Sequence, residues 1–464
     1  MTGLIIVVVY FVAMVAIGLW SRRRAKGAAN FFVAGRSGSS FFITGSLLAT
    51  IIGGSATVGM AGLGFSQGLT GMWWLLVGTA GLIILGVFLA GKVRKFGLYT
   101  LPELVEKQYD KRIGLAASIL IVISWVGVIA DQIVASGKIL SVLGMGDPTM
   151  WMIIFSVVFI AYTVLGGQYS VIRTDIIQVG VIFLGIFGGL ALVLSRVGGW
   201  GGLEAALPAG SFDFPVSESF GSYELVSLLL LVGLTYVVGP DMYSRLFCAK
   251  DGRTARTSVF WAAALIVPFA LGITLIGMGA SALFPGIAAE QAFPTVITEV
   301  LPPIVGYIVL AALLGAVMSS ADTCLLTAST ILSVDIVGRL KPSLSQDKIL
   351  SLSRWGIVLL GIISLLVALA LKGVISSLLF AYSVYTAGVI LPVLAGFYKD
   401  KLKVTSLGAL AAIIGGGGMA LVSKIFEIKY LDLGGLVASG VLLFLVSFIE
   451  NSLRGRHLDQ GRGI

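Results

Sequence analysis

The stretch Ala316-Val317-Met318-Ser319-Ser320-Ala321-Asp322-Thr323-Cys324-Leu325-Leu326-Thr327 carries more oxygen than its apolar surroundings. Residues three and four apart share a helix face, so Ala316, Ser319, Ser320, Thr323 and Thr327 form one stripe of small and hydroxyl-bearing positions. Sodium is a hard cation that takes several oxygen ligands, and hydroxyls with freed backbone carbonyls supply them without a full buried charge. Spacing alone favours a blander use, hydroxyls bonding back to their own helix or to a neighbouring one. Carbonyls that would complete such a shell stand in Ala49-Thr50-Ile51-Ile52-Gly53-Gly54-Ser55-Ala56-Thr57, where each glycine costs an unbroken helix about 1 kcal/mol relative to alanine. A break there frees carbonyls near Ala49 and Ile52. A second interruption, Gly233-Leu234-Thr235-Tyr236-Val237-Val238-Gly239-Pro240, lies five apolar stretches further on. That spacing fits two five-helix repeats of inverted topology, each opening with a discontinuous helix, with a solute held between the breaks. Taken singly, either glycine pair also suits plain helix packing.

Asp131, Asp175 and Asp322 stand inside apolar stretches, where an unpaired charge costs roughly 3 kcal/mol at membrane depth. Asp322 has no basic residue within a turn on either side, so a bound cation is its most economical counter-charge. Asp175, in Arg173-Thr174-Asp175-Ile176-Ile177-Gln178, reads equally as an interfacial helix start with Arg173 as partner. Asp131, beside Gln132, lies about two turns before Lys138 and can pair with it.

Other chemistry is scarce. Gly86-Val87-Phe88-Leu89-Ala90-Gly91-Lys92 mimics a phosphate loop, but Val93 replaces the required hydroxyl residue. There is no Gly-x-Ser-x-Gly elbow, His-Glu-x-x-His or Cys-x-x-Cys, and the single histidine, His457, excludes ordinary triads and histidine proton relays. Tyr382 and Tyr385 read as packing residues, and Cys248 and Cys324 as packed thiols.

The elements that must position these residues follow from composition. Of 464 residues, 58% are hydrophobic and 11% charged, against about a quarter charged in soluble chains. Apolar stretches near 2–20, 40–66, 70–91, 113–141, 147–167, 174–196, 223–247, 257–279, 302–334, 351–371, 374–396, 404–423 and 432–450 are each long enough to cross hydrocarbon about 30 Å thick. With thirteen crossings, alternate loops on one side hold only Lys138, Arg196, Lys372, Lys424 and Lys429 of the 31 basic residues; the rest, from Arg22, Arg23 and Arg24 to Arg462, gather on the other. Positive loops stay in the cytoplasm, which places the N-terminus outside and the C-terminus inside. The net charge of +9 is therefore a matter of topology, with no nucleic-acid partner implied.

Four motifs together bring a resemblance: Phe31-Phe32-Val33-Ala34-Gly35-Arg36-Ser37, Thr174-Asp175-Ile176-Ile177-Gln178, Pro240-Asp241-Met242-Tyr243-Ser244-Arg245 and Ala316-Val317-Met318-Ser319-Ser320. Over nearly the whole chain the sequence resembles the solute:sodium symporter family. The resemblance implies an all-α membrane protein of about thirteen helices with a LeuT-type five-plus-five core, one extra N-terminal and two extra C-terminal helices, and sodium-driven alternating access. Its divisions would be 1–39, a first repeat 40–196, a second repeat 197–396, and 397–464. By position, the principal sodium site would use the carbonyls of Ala49, Ile52 and Ala316 and the hydroxyls of Ser319 and Ser320. A second sodium site, present in some members, would fall on Asp175, Ser319, Asp322 and Thr323. In one such variant hydroxyl residues occupy the positions of both Asp322 and Thr323, so Asp322 departs from it and leaves the number of ions open.

Solute-facing positions implied in the same way are Gly53, Gly54, Ser55 and Ala56 at the first break, Gln132, and Tyr236 near the second. The small side chains suit a compact solute. No arginine is expected deep in the core, and Asp131 would attract an amine, so the lean is to an amino acid or other nitrogenous solute. The reading is of a monomeric sodium symporter in the cytoplasmic membrane, not an enzyme. The rivals are a proton-coupled carrier of the same fold, using Asp175 and Asp322, and a transporter-like sensor.

Overall fold

The structure, a computed structural model, describes residues 2–22, 27–144, 146–371, 373–426, 428 and 431–460. Arg23, Arg24, Lys372, Lys429 and Arg462 of the charge count lie outside the described residues. In hydrocarbon no water satisfies the backbone, so an apolar chain must pair its N–H and C=O groups within helices or a closed barrel. Helices are what forms. Apart from two isolated bridges, the described residues hold no strand. Ten of the described helical segments are long and apolar enough to cross a membrane, and Thr2–Ile17 and Ser40–Ile51 are shorter apolar helices.

The elements used below are α1 (Thr2–Arg22), α2 (Ser40–Ile51), α3 (Met60–Gln67), α4 (Lys111–Ser141), α5 (Pro148–Val197), α6 (Pro240–Cys248), α7 (Gly252–Leu283), α8 (Pro303–Thr330), α9 (Val374–Tyr385), α10 (Ser406–Ile425) and α11 (Leu431–Gln460). The starts of α4, α5 and α7 are capped by side chains that accept from the first free N–H groups. Asp110 accepts from Arg112 N at 2.8 Å, Asp147 from Met150 N at 2.8 Å and Asp251 from Thr254 N at 2.7 Å.

α5 folds back on itself. Gly167 takes φ 55° and ψ −168°, and Tyr162 Oη lies 2.8 Å from Thr174 Oγ1. Twelve residues of unbroken helix would separate those side chains by about 18 Å of rise. A Cβ at position 167 would come within 2.6 Å of the Phe31 ring. The two apolar stretches read at 147–167 and 174–196 are thus joined by one glycine turn, and Asp175 is not an interfacial helix start: it is fully buried in the second arm.

Both interruptions read in the sequence are present. α2 stops at Ile51, Ile52 leaves the helix at φ −84° and ψ 79°, and a wide turn over Ser55–Gly59 leads into α3. The second run continues to Val237, breaks at Val238 (φ −133°, ψ 56°) and Gly239 (φ −91°, ψ 131°), and resumes at Pro240. Proline suits that restart, because it has no N–H to leave unpaired and its φ is already helical. α8 packs against α2, α4 and α5 and is buried almost throughout its second half, while α6 packs against both α2 and α8. α10 and α11 pair at the margin, where a Cβ on Gly408 would meet Ser447 Oγ at 2.1 Å.

Candidate functional site

The site starts from where the backbone of the first break sends its hydrogen bonds. In a continuous helix the Gly53 and Gly54 N–H groups would serve the Ala49 and Thr50 carbonyls. Here Gly53 N donates to Ile51 O at 3.1 Å and Gly54 N to Gln132 Oε1 at 2.8 Å. The released carbonyls meet α8: Ser319 Oγ lies 2.9 Å from Ala49 O and 3.0 Å from Ala316 O, and Ser320 Oγ lies 3.0 Å from both Ala49 O and Thr50 O. Each hydroxyl has one proton. Five oxygens therefore crowd together with two protons to share, a surplus of lone pairs that suits a small cation. Ala49, Ala316 and Ser319 are fully buried, as is Ile52 at the break itself.

Glycine at position 53 is what allows this approach. A Cβ there would stand 2.6 Å from both Ser320 Oγ and Gln132 Oε1, and one on Gly54 would stand 2.3 Å from Ala135 Cβ. Overpacking of this kind costs about 1–3 kcal/mol. Gly53→Ala is therefore expected to lower the unfolding temperature of the purified protein and to abolish any rise produced by sodium chloride over potassium chloride. A sodium-dependent rise of wild-type size in that variant would count against the site.

Asp131 and Gln132 lie on α4 beside the same break. Gln132 Nε2 donates to Asp131 Oδ2 at 2.8 Å, so Gly54, Gln132 and Asp131 form one chain, and the buried Asp131 Oδ1 has no hydrogen-bond partner. The sequence offered Lys138 as partner, but Lys138 forms an ion pair with Glu290, whose other oxygen accepts from Val374 N at 3.2 Å. Ser55 and Ala56 are buried in the wide turn after the break. Tyr236 precedes the second break and packs on Gly78 and Gly81, where a Cβ would fall 2.8 and 2.9 Å from it. Tyr382 is close enough to both Tyr236 and Asp131 to interact electrostatically, and it leans on Trp125 with ring centroids 6.5 Å apart. Tyr385, read only as a packing residue, hydrogen-bonds the Val238 carbonyl released at the second break.

The remaining predicted residues gather round a group the sequence reading did not expect. Arg245, on α6, is fully buried, which corrects the expectation that no arginine lies deep in the core. Its Nη2 donates to Thr323 Oγ1 and lies 3.8 Å from Asp175 Oδ2, and its Nε donates to Thr50 Oγ1 at 3.2 Å. Ser46 Oγ donates to the same Asp175 oxygen at 2.5 Å. Arg173, the partner proposed for Asp175, instead lies over the Tyr169 ring at 4.3 Å from its centroid. Thr323 also donates to Ser319 O at 2.7 Å, and Asp322 sits within electrostatic reach of Asp175 and Arg245. Asp175, Ser319, Asp322 and Thr323 are thus brought together, with Arg245, Thr50 and Ser46 as members that sequence reasoning missed.

Set beside known proteins, residues 31–416 match the sodium:solute symporter family. The chain belongs to that family. It is 28% identical to the sodium/glucose cotransporter of Vibrio parahaemolyticus, over 91% of this chain and 84% of that one. It is 26% identical to the sodium/pantothenate symporter of Escherichia coli (strain K12), over 98% and 96% of the two chains. In structure it is similar to a substrate-bound, outward-open sodium-coupled sialic acid symporter, with a TM-score of 0.83, 19% identity and 97% and 98% of the two chains covered. This family member therefore has the LeuT-type fold, is a transporter and not an enzyme, and takes sodium as its coupling ion.

Hydrogen bonds and an ion pair link separate elements at both ends of the bundle. At the end rich in basic residues, Gly38 N donates to Cys248 O at 2.9 Å, Lys250 N donates to Gly38 O at 3.0 Å, and Arg94 Nε donates to Ala249 O. At the opposite end the Glu290 carboxylate joins Lys138 to the start of α9.

Proposed function

We propose that this symporter imports a small nitrogenous solute, an amino acid or a related amine, by alternating access across the cytoplasmic membrane as a monomer. Sodium is held by the carbonyls of Ala49, Ile52 and Ala316 and the hydroxyls of Ser319 and Ser320. The solute lies between the breaks against Gly53, Gly54, Ser55, Ala56, Gln132 and Tyr236, with its nitrogen at Asp131. The observation that carries the reading is the crowd of oxygens between the broken α2 and α8, short of protons and buried. Sodium there ties the two elements in one arrangement, and solute binding beside it permits closure, so coupling is a difference in affinity between states.

The bias of basic residues supports the end near Gly38 and Lys250 as cytoplasmic, with the N-terminus outside. The repeats 40–196 and 197–396 then form the two inverted halves. An inward-negative potential supplies about 2.3 kcal/mol per 100 mV for each charge moved, enough to accumulate a neutral solute. The test is a thermal-shift screen of small metabolites with and without sodium, since a ligand that binds only the folded state raises its stability. Hits are then assayed for uptake into proteoliposomes under separately imposed sodium and pH gradients. Amine-bearing hits that require sodium, driven by the sodium gradient alone, are the expected result. Uptake driven by the pH gradient without sodium would overturn the reading in favour of a proton-coupled carrier.

A further inference from the structure

Two cavities that neither the ion nor the solute uses lie side by side at the end of the bundle rich in basic residues. The first, of about 390 Å³, is an apolar groove walled by Ile84, Phe88, Leu391, Tyr398, Leu402 and Phe444. All but Leu391 are exposed on the outside of the bundle. The second, also about 390 Å³, is polar, with Lys399, Asp400, Lys403, Asn451 and Arg454 in its walls. The two share the turn 398–403 and one face of α11, since Phe444 and Asn451 stand two helical turns apart and point the same way. Thr405 N donates to Ser447 Oγ at 2.9 Å and Asn451 Nδ2 to Lys403 O at 2.8 Å, which docks the turn on that face.

The basic groups around these cavities are not held by acids. Among the described residues Lys92, Lys399 and Lys403 form no ion pair. Lys92 lies over the ring of Tyr398, 5.4 Å from its centroid, and Lys399 over that of Tyr109 at 5.2 Å. Of the nearby acids, Asp110 is engaged by Arg112 N, Ile113 N and Ser406, and Glu450 by Arg454, which leaves Asp400 as the one acid in the polar wall. Lys403 takes φ 53° and ψ 32°, the left-handed region where a helix end ordinarily uses glycine or asparagine. A lysine at such a position points to a use for its side chain. An acyl chain suits the groove, and a phosphate suits the unpaired ammonium groups beyond it. We propose that the two cavities together bind one anionic phospholipid of the leaflet at the basic end, its chain in the groove and its phosphate among Lys399, Lys403 and Arg454. On the proposed orientation this is the cytoplasmic leaflet. The site is independent of the sodium and solute readings. It bears on the carrier because Leu391 directly follows the wide turn Thr386–Ile390, where Thr386 Oγ1 lies 2.9 Å from Thr235 Oγ1, just before the second break.

The test is native mass spectrometry and thermal unfolding of the full-length protein, stripped of lipid in detergent and titrated with phosphatidylglycerol or phosphatidylcholine of identical chains. A lipid that binds only the folded state raises the unfolding temperature. The wild type is expected to retain one phosphatidylglycerol, roughly tenfold or more tightly than phosphatidylcholine. Replacing Lys399, Lys403 and Arg454 together by glutamine should erase that preference, whereas the same loss of charge at Arg173, Lys341 and Lys348 should leave it intact. Ile84→Trp, which fills the groove and keeps every charge, should weaken phosphatidylglycerol as well. Glycerol 3-phosphate, the headgroup chemistry without chains, should not compete at matched concentration. Equal binding of the two lipids, equal loss in both triple variants, wild-type binding in Ile84→Trp, or displacement by glycerol 3-phosphate would each overturn the inference. So would a lipid-free dimer that Ile84→Trp dissolves, since a second copy would then be what covers the groove.

Discussion

Replacing Ser319 and Ser320 together by alanine is expected to raise the half-saturating sodium concentration by roughly a hundredfold, at about 1.5 kcal/mol for each hydroxyl lost to a charged partner. Two effects act in that direction. On the proposed site the ion loses two ligands, and the Ala49 and Thr50 carbonyls lose the hydroxyls that now hold them toward α8. The second effect also lowers stability, since a buried carbonyl left unpaired costs about 1–3 kcal/mol. Stability and ion binding must therefore be read separately, by unfolding temperature in potassium chloride and by radioactive sodium binding. The single variants divide the effect: Ser320 serves two freed carbonyls of α2, whereas Ser319 serves one of them and one of its own helix. Ser320→Ala should accordingly loosen α2 more. Wild-type sodium binding in the double variant would remove these hydroxyls from the ion's shell.

What could be read from the sequence was local, and what could not was set by distant packing. The breaks at 52–54 and 238–239 were legible because glycine and proline act on the backbone at their own positions. The hydroxyl stripe was legible because helix periodicity puts Ser319, Ser320 and Thr323 on one face wherever the helix docks. The counter-charges were not. For Asp175 and Asp131 the nearest base in sequence is Arg173 and Lys138, and the fold uses neither as a hydrogen-bonded partner. Arg173 turns to a ring one turn away, and Lys138 reaches a glutamate from a distant loop. Arg245 stands in plain view within Pro240-Asp241-Met242-Tyr243-Ser244-Arg245 but falls among the basic residues counted on the positive side. The restart at Pro240 puts it between α2 and α8 instead. The signal that could have found it is the same break: a half-helix begun at mid-membrane keeps its first two turns inside.

Asp131→Asn is expected to weaken solute binding by at least tenfold while leaving half-saturation by sodium within twofold. The size follows from the environment, since removing one partner of a buried, hydrogen-bonded charge pair costs about 2–5 kcal/mol. Asparagine is nearly the same shape and its carbonyl can still accept from Gln132, so the chain to Gly54 N survives and the break keeps its geometry. What disappears is the carboxyl oxygen of Asp131 that nothing in the protein satisfies. Lys138 lies within electrostatic reach of Asp131, but its ammonium is paired with Glu290 at the end of the bundle and gives Asp131 Oδ1 no hydrogen bond. On the proposed reading, a cationic nitrogen on the solute supplies the counter-charge at Asp131. The check is a paired measurement on the solute found by thermal shift and on its analogue with the amine replaced by hydroxyl. In the wild type the amine should bind far more tightly, and in Asp131→Asn the two should converge. Equal loss for both compounds would mean that Asp131 acts only by positioning Gln132, and the solute would then be a neutral one recognised at the glycine backbone.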